Sequence, residues 1–218
     1  MLTRAELKAQ AKQQLKGKVW WLFLCTLIVS GISMILGMIP VVGVIATYII
    51  APALSIGLTM VYLSVTYGED VQINMLFDGF RGRLFGKSIA LFLLIIIYTM
   101  LWSLLFVIPG IIKGYSYSMA FYILAENPDM TANEAITESR EIMNGHKWEL
   151  FVLGLSFILW AFAIVFTLGI AAIYVEPYMQ LTYVNFYHNI KRQSAAEAVY
   201  EEPVYDTPVV ETVEDVVE

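Results

Sequence analysis

One ammonium group stands inside an otherwise apolar stretch: Lys113, four residues after Pro109 and followed by Tyr115, Ser116, Tyr117 and Ser118. An ionisable side chain in such a setting marks a functional position by default, because an unpaired charge costs several kcal/mol in hydrocarbon. Its natural partner is Glu176, in a later apolar run that also holds Gln180, Asn185 and His188. A Lys113–Glu176 pair closes a helix bundle or lines a cavity for a ligand or ion. The alternative is a snorkelling lysine that reaches outer phosphates, with Glu176 in a bent turn. The sequence leaves both open. Lys113, Tyr115, Tyr117, Glu176, Gln180 and Asn185 are thus the candidate polar or ligand-binding residues. Tyr122, Tyr178, Tyr183 and Tyr187 are better explained by core packing and interfacial belts.

Other chemistry is thin. His146 and His188 lack the cysteine or spaced carboxylate that a metal site needs, so no metal ligand is assigned. There is no Gly-rich phosphate loop, no nucleophile elbow and no intramembrane Asp or His pair. No catalytic residue follows, no cofactor is expected, and the expected role is non-enzymatic. A second set of residues points to lipid instead. Over 3–18, Leu7, Ala11 and Leu15 recur at i, i+4, i+8 behind a Thr3-x-x-Glu6 capping box, and Arg4, Lys8, Lys12, Lys16 and Lys18 fill the remaining face. Over 69–87, Ile73, Leu76, Phe77, Phe80 and Leu84 form a second apolar stripe, with Arg81 and Arg83 off it. These seven cations are the candidate lipid-headgroup contacts. The expected partner is the bilayer, with a preference for its anionic lipids, and not nucleic acid.

The elements that position these residues follow from composition. The chain has 218 residues, 59% apolar and 15% charged, more apolar surface than a soluble domain of that length hides. Its net charge of −6 is uneven: the first 193 residues hold all 13 basic side chains against 11 acidic ones, and eight acids follow. Residues 1–193 are read as a membrane domain and 194–218 as a disordered acidic tail on the cytoplasmic side. Cys25, the single cysteine, excludes an intrachain disulfide. The first apolar run lacks a clear cleavage site and reads as an uncleaved membrane helix. The expected fold is all-α with six transmembrane helices, near 19–39, 41–66, 88–108, 111–125, 149–167 and 169–190. Small-residue stripes at Ser33/Gly37, Ala53/Gly57 and Gly110/Gly114/Ser118 invite close helix packing.

A frame recurs three times, at Leu15–Leu24, Leu84–Leu93 and Met143–Val152: an apolar residue, Gly two positions on, a basic or imidazole residue, then Leu-Phe five and six residues after the Gly. Gly17 lies 23 residues before Pro40, and Gly86 lies 23 before Pro109. Thr3 and Thr131, Glu6 and Glu134, Lys12 and Arg140, Trp20 and Trp148 share an offset of 128. The spacing predicts three repeats of an amphipathic helix plus a hairpin, over 3–66, 70–127 and 131–190. With the N-terminus inside, 12 of the 13 cations fall on the cytoplasmic side, leaving Lys113 alone; both termini are then cytoplasmic.

Ile108–Lys113, Tyr117–Ala120, Ala125–Pro128, Met143–Lys147, Leu155–Trp160 and Glu176–Tyr178 together resemble the bacterial integral membrane proteins grouped as domain of unknown function 975. The resemblance covers the body to about residue 193 and leaves the acidic tail out. It implies a multi-pass protein of a bacterial cytoplasmic membrane, common in Gram-positive lineages, and supplies no catalytic residues. The expected function is a membrane scaffold or envelope-homeostasis factor. The second expectation is a small transporter, or a lipid- or ligand-binding protein, with a cavity near Lys113 and Glu176.

Overall fold

The computed structural model describes residues 2–201, and within them every regular element is a helix. Helix α1 (Arg4–Leu15) opens on the predicted capping box: the Thr3 hydroxyl accepts from the Glu6 N–H, and the Glu6 carboxylate accepts from the Thr3 N–H. Helix α7 (Ala132–Ile142) opens on the same device at Thr131 and Glu134. Long apolar helices α2 (Val19–Gly37) and α3 (Val42–Thr66) form a hairpin, and α3 continues through Pro52. A 3-10 helix (Ile73–Phe80) then leads into α4 (Gly82–Leu105). Helices α5 (Val107–Tyr117) and α6 (Ala120–Glu126) return along α4 and α3. The last part is α7, α8 (Lys147–Leu155), α9 (Ile158–Phe166) and α10 (Ala172–Glu201). Lys18, the end of α3, the end of α6 and the His188 turn of α10 meet at one end of the array, the basal end.

Four stretches are long and apolar enough to cross a membrane: Val19–Gly37, Val42–Thr66, Gly82–Leu104 and Lys147–Phe166. The expectation of six is corrected to four. The predicted span 111–125 is interrupted at Ser118 and Met119, and neither α5 with 11 residues nor α6 with 7 reaches the ~20 residues a bilayer needs. Helix α10 has the length, but Glu176, Gln180, Asn185, His188 and Asn189 lower its apolar content.

The threefold frame divides. Gly17 and Gly145 both turn the chain in the left-handed region, with φ of 77° and 81°, just before α2 and α8. Gly86 instead lies within α4, and the amphipathic segment ahead of it is the 3-10 helix, not an α-helix. Residues 194–201, expected to begin a disordered tail, continue α10; 202–218 of that tail lie outside the described residues.

Close packing uses two of the three small-residue stripes. A Cβ on Gly57 would stand 2.0 Å from the Leu76 carbonyl oxygen, and one on Gly79 would stand 2.0 Å from that of Ala53. Helix α3 and the 3-10 helix therefore touch backbone to backbone, each supplying a glycine. Gly110 makes room for Ser103, where α5 turns back on α4. Gly37 meets nothing within 4 Å, so its stripe has no partner within the described residues. Gly57→Ala or Gly79→Ala is expected to lower stability by about 1–3 kcal/mol through overpacking. Gly37→Ala, on an open helical surface, should instead be neutral or stabilising by up to about 1 kcal/mol. Thermal unfolding of the three detergent-solubilised variants checks the difference.

Candidate functional site

Glu126 ends α6, where the helix dipole already disfavours a negative charge. Its carboxylate, mostly buried, is satisfied by three side chains from two other helices. Tyr67 at the end of α3 donates to Oε1; Tyr187 of α10 donates to Oε2 at 2.7 Å; Lys191 of α10 donates to Oε2 as well. His188 Nδ1 lies 3.9 Å from Oε1, and its Nε2 shares a 2.9 Å hydrogen bond with the Thr66 hydroxyl. Tyr122 stacks on Tyr187 with ring centroids 5.4 Å apart. Burial opposes ionisation of Glu126, but the hydrogen bonds from Lys191, Tyr67 and Tyr187 outweigh it and hold the pKa below the usual glutamate range. The Tyr67 phenol is pushed up to about 12, first by burial and then by its bond to Glu126. Sequence reasoning did not select Glu126, Tyr67 or Lys191. The available signal was a glutamate in the last turn of a helix, a position that calls for cationic partners.

Helix α1 docks against the helical body. Leu7, Ala11 and Leu15 are buried, as their spacing predicts, and the helix packs on α10. Gln14 and Asn185 exchange hydrogen bonds of 3.1 and 2.8 Å through their carboxamides, and Asn189 Oδ1 accepts from the Leu2 N–H at 3.3 Å. Asn185 is therefore a helix-docking residue. Lys8 reaches the Ser156 carbonyl at 3.4 Å and lies 4.3 Å from the Phe157 ring centroid. Ser156 and Phe157 interrupt the helix between α8 and α9; the Trp160 N–H bonds to the Phe157 carbonyl at 2.9 Å, leaving the Ser156 carbonyl to Lys8. Lys12 stands 5.8 Å over Tyr178. Lys18 donates to the Glu69 carbonyl and approaches Asp70 at 3.8 Å, and Arg81 approaches Asp78 at 3.1 Å. Of the seven candidate headgroup cations, Arg4, Lys16 and Arg83 are exposed on the surface without such a contact among the described residues.

The polar residues of α5 separate onto two faces. Lys113 and Tyr117, one turn apart, face α4 and α7: Lys113 Nζ lies 4.7 Å over the Trp102 ring, and Tyr117 sits 6.1 Å from Tyr98. Lys113 shares a groove with Arg140 and Thr137 of α7 and with Lys147 at the start of α8. Tyr115, on the opposite face, lines a crevice of about 330 Å³ with Gly114, Tyr122, Gly154 and Tyr183. Glu176 lies near Tyr62 and Tyr183, and among the described residues no ion pair joins it to Lys113. Gln180 is half-buried on α10. The single cavity expected at Lys113 and Glu176 thus resolves into a basic groove and a separate tyrosine crevice. Hydropathy cannot tell the two faces of α5 apart, but the i, i+4 spacing of Lys113 and Tyr117 against Tyr115 does.

This arrangement defines an all-α protein of apolar helices compatible with a membrane, polar at the basal end and grooved beside α5. The family model described as "Protein of unknown function (DUF975)" matches residues 1–113 and 104–194. The chain belongs to this family, as the motif around Ile108–Lys113 led us to expect. No curated protein and no solved structure matches it.

Glu126 gives a signed pH dependence. A carboxyl held low stabilises the fold above its unfolded pKa, about 4.3, and the contribution is lost as pH falls through the lower folded value. The melting temperature of the solubilised protein is expected to be insensitive to Glu126 near neutrality and to fall below about pH 4.5. Glu126→Gln should flatten part of that fall, with the capping residues Glu6 and Glu134, also held low by hydrogen bonds to Thr3 and Thr131, carrying the rest. Glu126→Ala leaves Lys191 and two phenols without their acceptor and should cost about 3 kcal/mol at pH 7.

Proposed function

We propose that this chain is a multi-pass protein of a bacterial cytoplasmic membrane that works without catalysis, as a scaffold or envelope-homeostasis factor acting through lipid and protein contacts. The basal end is cytoplasmic in this reading, and both termini lie there. The observation that carries it is the contrast between the two kinds of surface. Helices α2, α4 and α9 expose large apolar side chains, among them Met34, Met100, Leu104, Leu159 and Phe166, as a lipid boundary requires. At the basal end Gln14, Glu126, Asn185, Tyr187 and Lys191 are instead engaged in the Glu126 network and the α1–α10 contacts, which hold the helices together. Approximate repetition of α1–α3 in α7–α10 accords with the paired capping boxes and the paired Gly17 and Gly145 turns.

A second reading, lipid or small-ligand binding, draws on the tyrosine crevice at Tyr115, Tyr122 and Tyr183, which is apolar and of a size to take an acyl chain. Thiol accessibility separates the readings. In a Cys25→Ala background, single cysteines at 113 and 115 are treated with a membrane-impermeant maleimide, in intact cells and in inside-out vesicles. Lys113 counts as the one external cation by span order, but it shares a groove with Arg140 and Lys147, so the scaffold reading expects labelling of 113 in inside-out vesicles only, and of 115 in neither. Labelling of 115 that an added solute blocks favours the ligand-binding reading, and labelling of 113 from outside overturns the assigned orientation.

A further inference from the structure

We infer that the groove between α5, α7 and the start of α8 binds the phosphate of an anionic phospholipid. Lys113, Arg140 and Lys147 converge on it from three helices, and among the described residues none of them is in an ion pair. Glu141 is the one carboxylate lining the groove with them, leaving two positive charges in excess. Three carboxylates elsewhere each have a cation beside them: Glu126 has Lys191, Asp70 has Lys18, and Asp78 has Arg81. Cations gathered against an apolar wall repel one another more than in water, and a bound anion reverses the sign of that interaction. Ser116, Thr137 and Asn144 add neutral hydrogen-bonding groups along the same wall.

The groove is also graded along its length, which favours a lipid over a free anion. The part holding Lys147 has a volume of about 330 Å³. It continues past Lys113 and Arg140 into a part of about 270 Å³ lined by Tyr98, Trp102 and Tyr117. Beside Trp102, α4 presents Met100, Leu101 and Leu104 outward. A phosphate among the three cations therefore has an aromatic wall and an apolar surface next to it, where glycerol and acyl chains can lie. A zwitterionic headgroup carries its own cation into this site and should bind less well.

The test uses the intact chain in neutral detergent, with native mass spectrometry and thermal unfolding as readouts. Phosphatidylglycerol is expected to bind at one saturable site and raise the melting temperature, and phosphatidylcholine to bind at least tenfold more weakly. Lys113→Gln and Arg140→Gln should each weaken phosphatidylglycerol at least tenfold, Lys113→Arg should restore it, and Arg192→Gln, an exposed cation of α10, should change it less than twofold. Arg140 is exposed, so its removal leaves the core packed even where a change at 113 does not. Equal affinity for the two lipids, or variants that bind like the parent, overturns the proposal. Protection by inorganic phosphate alone that matches phosphatidylglycerol assigns the groove to a free anion and overturns the lipid assignment. The inference rests on the membrane reading but not on scaffolding, since misoriented labelling at 113 and loss of lipid selectivity in detergent are separate results.

Discussion

A carboxylate withdrawn from water at the C-terminal end of a helix has two reasons to be unstable, its lost hydration and the dipole of the helix behind it. Glu126 overcomes both because three other groups are brought to it, and that requirement places the ends of α3 and α6 and the middle of α10 within hydrogen-bonding distance of one carboxyl. Between helices in lipid there is little hydrophobic drive to associate, so packing and polar contacts must choose the partners. The backbone contacts of Gly57 and Gly79 and the carboxamide pair Gln14–Asn185 serve that purpose alongside Glu126. The apolar surfaces make the chain a candidate for the membrane; these few polar and close contacts specify which helix lies against which.

Much of this was readable residue by residue. Thr3-x-x-Glu6 and Thr131-x-x-Glu134 announced the two caps, and both form, because a capping box depends only on residues three apart. The burial of Leu7, Ala11 and Leu15 follows from periodicity for the same local reason. The Ile108–Lys113 motif led to the family. The errors arise where a distant partner decides. The 3-10 conformation of Ile73–Phe80 belongs to a segment pressed against α3 through glycine, and a helical wheel drawn on 69–87 has no knowledge of α3. The separation of Lys113 from Glu176 depends on which faces of α5 and α10 meet other helices.

The cations are sorted by their surroundings in a way their count does not reveal. Lys8 satisfies a carbonyl left free at the interruption between α8 and α9, and Lys191 neutralises Glu126. Lys18 meets Asp70 from a distant part of the chain, and Arg81 meets Asp78 one turn before it. Lys113, Arg140 and Lys147 share a wall without such partners among the described residues. A charge tally sees one population; the structure divides it into cations that hold the fold together and cations left available to an anion from outside.

The docking of α1 on α10 also has a temporal side. Leu2 and Gln14 bond to Asn189 and Asn185, which lie 187 and 171 residues further along the chain. A ribosome releases the first helix long before α10 exists, so Leu7, Ala11 and Leu15 stay without that partner until α10 arrives. Closure of the first element on the last makes assembly an end-to-end event, completed only when the final helix is in place.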